Sequence, residues 1–123
     1  MTVDVLLVED DDLVRECLAE ALHEAGLETA ERASGEDALE LLTPDTKPPA
    51  VVVTDINLGP GMNGLAFAEA ARRCWPSVAV IYISGRYQGL NELGGRDRFV
   101  PKPFPMGALL RAIRDVGASD RKS

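Results

Sequence analysis

The chain has 123 residues, with 13 lysines and arginines against 20 aspartates and glutamates and a formal net charge of -7. That length suits one domain, residues 1–123, with a core large enough to fold without disulfides or structural metals, and the acidic balance disfavours a sequence-independent hold on nucleic acid, which needs a lysine- and arginine-rich surface. No apolar stretch approaches the roughly twenty residues of a membrane span, and MTVDVLLVEDDD lacks the order of a signal peptide, so the expected location is the cytoplasm.

The first element is VDVLLV at 3–8, an apolar run too continuous for a strand with one wet face and therefore expected inside a sheet covered on both sides. A helix follows, capped by Asp11 or Asp12. Leu13, Val14, Cys17, Leu18, Ala21, Leu22 and Ala25 form its apolar stripe, and Gly26 stops it. LETAERA at 27–33 is interrupted by Glu28, Glu31 and Arg32, which marks an edge strand. SGED at 34–37 has the capping-box spacing of a second helix, closed by the loop TPDTKPP.

AVVVT at 50–54 is a second central strand, and a helix from about Leu65 to Cys74 ends before Trp75-Pro76. VAVIYI at 78–83 is the third central strand; RFV at 98–100, closed by Pro101, is another edge. Met106, Leu109, Leu110, Ile113 and Val116 give the last helix one apolar face. Residues 118–123 read as a polar, flexible tail. Cys17 and Cys74 have no CxxC spacing and read as reduced thiols, Cys17 as a small core residue. His23, near the end of the first helix, reads as a C-terminal helix cation.

Alternating strands and helices predict an α/β fold with a doubly wound, five-stranded parallel sheet in the flavodoxin-like order 2-1-3-4-5 and helices on both faces. In such a sheet ligands sit beyond the carboxyl ends of the strands. Glu9, Asp10, Asp11 and Asp12 follow the first strand, Asp55 follows the third, Ser84 and Gly85 the fourth, and Lys102 the fifth. Adjacent strands lie about 4.8 Å apart, so the acids after strands one and three meet in one cleft. Asp11 and Asp12 read as a solvated helix start. The remaining carboxylates repel unless one takes up a proton or a cation sits among them; a cation is the favoured answer, and a hard oxygen site of this kind suits Mg²⁺. Asp55, beside Mg²⁺ and the Lys102 ammonium, is then placed to attack a phosphoryl group, with the Ser84 hydroxyl donating to it.

LLVEDDDLVR at 6–15, VVVTDINL at 51–58, IYISG at 81–85 and FVPKPF at 99–104 together resemble the receiver domain of two-component response regulators across nearly the whole chain. The resemblance implies that Asp55 is the phosphoacceptor, that Glu9 and Asp10 are the acidic Mg²⁺ pair, and that the Asn57 backbone carbonyl is a further metal ligand. It also implies Ser84 as switch hydroxyl, Phe99 as switch aromatic, Lys102 as the lysine of the site, and a cis Lys102-Pro103 bond. A histidine kinase or histidine phosphotransfer protein would be the phosphoryl donor, and the output would be contact with a downstream protein or a phosphorylation-dependent dimer, with no nucleic acid or membrane. The expected role is a stand-alone phosphorylation-controlled signalling module of a two-component system or phosphorelay, not a turnover enzyme.

Two stretches depart from the family pattern. The loop LGPGMNG places Gly64 nine residues after Asp55, one more than usual, with Gly59, Pro60 and Gly61 available to absorb the insertion. The stretch from Ser84 to Lys102 is short and carries Gly89, Gly94 and Gly95, so a fourth helix there is expected to be short or irregular. Arg86 and Tyr87 flank the site, and the sequence assigns them no role. A haloacid-dehalogenase-like phosphatase with Asp55 as nucleophile is the alternative, although Asn57 stands where such enzymes carry an acid. A flavin-binding domain would need a phosphate loop after the first strand, which is missing.

Overall fold

The computed structural model describes residues 3–43, 45–85 and 97–121, with side chains described as far as residue 116. In chain order the elements are β1 (Val5–Val8), α1 (Asp12–Glu24), β2 (Thr29–Arg32), α2 (Gly35–Leu39), β3 (Val51–Asp55), α3 (Gly64–Cys74), β4 (Ala79–Ser84), β5 (Arg98–Pro101) and α4 (Met106–Arg121). The five strands form one sheet in the order β2-β1-β3-β4-β5, and every pairing is parallel. The expected fold is therefore the observed one. The fourth helix expected between Ser84 and Lys102 falls on residues 86–96, outside the described residues. The backbone of α4 runs through Arg121, into the stretch read as a tail.

The three apolar runs form β1, β3 and β4, whose residues are all buried, while β2 and β5 carry the exposed positions of edge strands. Alternate residues of the central strands feed two cores. Val5, Leu7, Val51, Val53, Ile81 and Ile83 face one side with Leu18 and Leu22 of α1 and Leu109 and Ile113 of α4. Leu6, Val8, Val52, Val80 and Tyr82 face the other with Ala38 of α2 and Phe67, Ala68 and Ala71 of α3. Leu22 is fully buried on the first side, so Leu22→Ala should lower stability by about 3 kcal/mol through lost burial and a residual cavity. Urea denaturation of the variant checks this.

The starts of α1, α2 and α3 are each closed by a side chain. Asp11 accepts from the backbone N–H groups of Leu13 and Val14, Ser34 from Asp37, and Asn63 from Ala66, which satisfies donors that the helix itself leaves unpaired. Gly26 takes φ +87° just past α1 and ends it. The stripe read on α1 is too wide, however. Leu13 is 71% exposed and Cys17 is also exposed. These two stand four apart on one flank of the line Val14, Leu18 and Leu22 that packs on the sheet, so Cys17 is a surface thiol and not a core residue.

Arg72 on α3 pairs with Asp97, which stands immediately before β5. The same guanidinium hydrogen-bonds the Tyr82 hydroxyl, and Tyr82 lies opposite Phe99 in the β4–β5 register. Burial, offset in part by that bond, holds the Tyr82 phenol above its ordinary value.

Candidate functional site

The carboxyl ends of β1, β3, β4 and β5 deliver the polar residues that the sequence placed there. Glu9 follows β1 and is 0% exposed, Asp55 ends β3 at 6%, Ser84 ends β4 at 1%, and Asp10 stands exposed at the mouth. Burying carboxylates so deeply costs free energy unless each finds donors. Lys102 supplies them for two at once: its Nζ lies 2.7 Å from Asp55 Oδ2 and 3.0 Å from Glu9 Oε1. The other oxygen of each acid takes a backbone N–H, Asp11 N to Glu9 Oε2 at 3.1 Å and Asn57 N to Asp55 Oδ1 at 2.9 Å.

The electrostatics follow from this packing. Burial raises the Glu9 carboxyl above its usual value, and the Asp11 N–H and the Lys102 ammonium only partly offset it. Burial acts to lower the Lys102 ammonium, but the hydrogen bonds and charges of Asp55 and Glu9 outweigh it and leave the group above the ordinary lysine value. Two carboxylates therefore share one cation. A third, Asp10, adds negative charge, and one oxygen from each of Glu9, Asp10 and Asp55 lies within 4.8 Å of the other two. Such an oxygen-only donor set, open toward Asp10, fits a hard divalent cation such as Mg²⁺, which keeps several waters and few protein ligands.

Around these acids, Asn57 Nδ2 donates to Ser84 Oγ at 3.3 Å, and the Lys102 N–H donates to the Ser84 carbonyl at 2.9 Å. Lys102 thus reaches the acids from a backbone fixed to the end of β4. The Lys102-Pro103 peptide is cis, as the family resemblance implies. Phe99 is half-buried and packs with the α2–α3 core, on the same face of the sheet as its partner Tyr82.

Two glycines shape the loop after Asp55. Gly59 and Gly61 adopt φ +75° and +95°, a region that side chains disfavour. Gly64 is needed for a different reason. Its N–H donates to the Ile56 carbonyl at 2.8 Å, and a methyl group on its α-carbon would overlap the carbonyl oxygen of Asp55. Gly64→Ala should therefore displace the backbone at Asp55 and cost about 3 kcal/mol, the upper range for forced overpacking. Thermal unfolding reads the loss.

Three residues make contacts that had no signal in the sequence. Arg15 donates to the Glu9 carbonyl at 2.8 Å and pairs with Asp12, tying α1 to the acidic turn. Thr54 is buried with its hydroxyl on the Asp55 carbonyl. Glu36 of α2 accepts from the Met62 N–H at 2.7 Å. Each joins residues through a side chain whose reach the spacing does not encode, although SGED did place Glu36 in the first turn of a helix.

A five-stranded doubly wound parallel sheet with clustered acids and a lysine at its strand ends is the architecture of a receiver-like domain, and comparison with known proteins gives its family. The family model "Response regulator receiver domain" matches residues 5–114, and the chain belongs to that family. A "Sensor kinase CckA" of Brucella abortus (strain 2308) is 31% identical over 116 residues, covering 91% of this chain and 12% of that protein. The "Transcriptional regulatory protein AfsQ1" of Streptomyces coelicolor is 34% identical over 116 residues, covering 91% and 50%. This chain therefore spans half or less of the length of these relatives. Among solved structures, a response regulator receiver protein from Sinorhizobium medicae WSM419 superposes with a TM-score of 0.85 at 27% identity, covering 95% of each chain. Among the described residues no helix is long and apolar enough to cross a membrane.

Proposed function

We propose that this receiver domain accepts a phosphoryl group on Asp55 from a phosphohistidine of a histidine kinase or phosphotransfer protein, and that the modified form selects a different protein contact. The observation that carries the reading is the Lys102 ammonium held against both Asp55 and the fully buried Glu9, beside Asp10. In the transfer an Asp55 carboxylate oxygen forms a bond to phosphorus as the bond from phosphorus to the donor imidazole nitrogen breaks, leaving an acyl phosphate and a free imidazole. Lys102 neutralises charge on the group that arrives, at the oxygen it already contacts. Bound by Glu9, Asp10, Asp55 and the Asn57 carbonyl, Mg²⁺ would supply further charge neutralisation.

The product adds an acceptor-rich dianion next to Ser84. The Ser84 hydroxyl, now shared with the Asn57 amide, turns toward that dianion, and the half-buried Phe99 moves into the space behind it, biasing two conformations. The domain catalyses only its own phosphorylation and dephosphorylation. Because relatives are named as a sensor kinase and as transcriptional regulators, the expectation that nucleic acid plays no part rests on the acidity of this chain alone.

A haloacid-dehalogenase-like phosphatase is disfavoured by family membership. It also needs an acid where Asn57 stands, and a carboxamide has no proton to transfer in that way. Intact-mass measurement after incubation with acetyl phosphate tests the proposal. One phosphoryl group should add in the presence of Mg²⁺ and none after chelation; an unchanged mass with Mg²⁺ present overturns it.

A further inference from the structure

The loop between β3 and α3 is gripped from two sides. On one side Gly59 lies against Asp10, so closely that a Cβ there would sit 3.2 Å from Asp10 Oδ2. On the other, the Glu36 carboxylate lies against Gly61 and accepts from the Met62 N–H at 2.7 Å. The Met62 side chain covers Gly35, where a Cβ would stand 3.0 Å from its Cγ and Sδ. Gly59, Pro60 and Gly61 stand between these contacts. Gly59, Pro60 and Gly61 are all exposed, and two of the three have positive φ, so glycine freedom alone leaves this stretch many conformations. The Met62 bond to Glu36 restrains the end of that stretch. It is charge-assisted and holds the Glu36 carboxyl below its ordinary value.

We infer that Glu36 is a positioning residue for the phosphoacceptor site: its carboxylate ties the lengthened loop to the start of α2 and so fixes the segment that runs back to Asn57 beside Asp55. The inference rests on the proposed role of Asp55 and Asn57, and it concerns how the loop is held and not what the site transfers. A lengthened loop that began at a metal ligand without such a tie would have to be ordered each time the cation bound. Glu36 orders it beforehand, at a point 26 residues away in sequence.

The test compares Glu36→Ala with Glu36→Gln, whose amide oxygen still accepts from Met62 N–H. Hydrogen exchange at the Met62 amide, Mg²⁺ affinity by calorimetry and the phosphorylation rate with acetyl phosphate at saturating Mg²⁺ are measured on the same samples. For Glu36→Ala we expect Met62 exchange to rise at least about tenfold and Mg²⁺ affinity to fall about threefold to tenfold. The rate at saturating Mg²⁺ should stay within about twofold of the parent protein, and Glu36→Gln should restore affinity and protection together. A residue that merely supports α2 would lower the melting temperature without moving Mg²⁺ affinity, and that outcome overturns the inference. So does a Met62 amide that stays protected in Glu36→Ala. Failure of the parent protein to take up a phosphoryl group would instead reject the proposed function, while amide exchange and Mg²⁺ binding would still report on Glu36.

Discussion

Asp55→Asn is expected to abolish phosphoryl uptake, with no added mass after incubation with acetyl phosphate and Mg²⁺. The substitution keeps the shape of the side chain and one oxygen, so the fold and the Asn57 N–H contact at 2.9 Å can persist. What it removes is the nucleophile, since an amide lacks the carboxylate charge needed to attack phosphorus. It also removes one of the two anions held by Lys102. Neighbouring carboxylates give the control. Asp10 is exposed and lies within the same cluster, so it is the group best placed to be modified in place of Asp55. Full phosphorylation of Asp55→Asn would therefore move the acceptor elsewhere and end the assignment.

Lys102→Met should reduce both stability and phosphorylation, and the two losses should respond differently to Mg²⁺. Without the ammonium, Glu9 at 0% and Asp55 at 6% exposure face each other with no cation between them. Breaking a buried ion pair from one side costs about 3–5 kcal/mol. Here the lysine side chain keeps 28% of its exposure, so a loss of about 2 kcal/mol is the expected figure after allowing for solvent screening. Glu9, already raised by burial, takes up a proton more readily in the variant and limits the damage. Millimolar Mg²⁺ should restore part of the stability, because a bound cation stabilises the folded state by mass action. It should not restore the phosphorylation rate, because the group that contacts the Asp55 oxygen is gone. Urea denaturation with and without Mg²⁺, set beside the rate of mass gain, separates the two effects. A variant as stable as the parent protein without Mg²⁺ would show that the acids do not depend on Lys102.

The sheet and most of the acid cluster were legible because both rest on rules that act along the chain. Continuous β-branched runs require cover on both faces, which placed β1, β3 and β4 in the middle, and strand order then brought Glu9, Asp10, Asp55, Ser84 and Lys102 to one end. Local spacing was a poorer guide to how far a packed surface extends. Leu13 and Cys17 fit the helical period, but the neighbours that could cover that flank are set by the crossing of α1 over the sheet, which periodicity does not contain. Contacts such as Glu36 with Met62, Arg15 with Glu9 and Arg72 with Asp97 depend on long side chains meeting across separate elements. Their residue types are common on any helix surface, so only the assembled fold distinguishes them.

The Arg72 to Asp97 pair, with the Tyr82 hydroxyl on the same guanidinium, ties the entry of β5 to α3 and to the middle of β4. One end of the stretch from 86 to 96 leaves β4 after Ser84, and the other re-enters at Asp97, which α3 holds. The described residues on either side of that stretch are thus fastened to the scaffold, Ser84 through its pairing with β5 and Asp97 through Arg72. Loss of either partner would therefore release the entry to β5, the strand that leads directly to Lys102 and to the contact of its ammonium with Asp55 and Glu9.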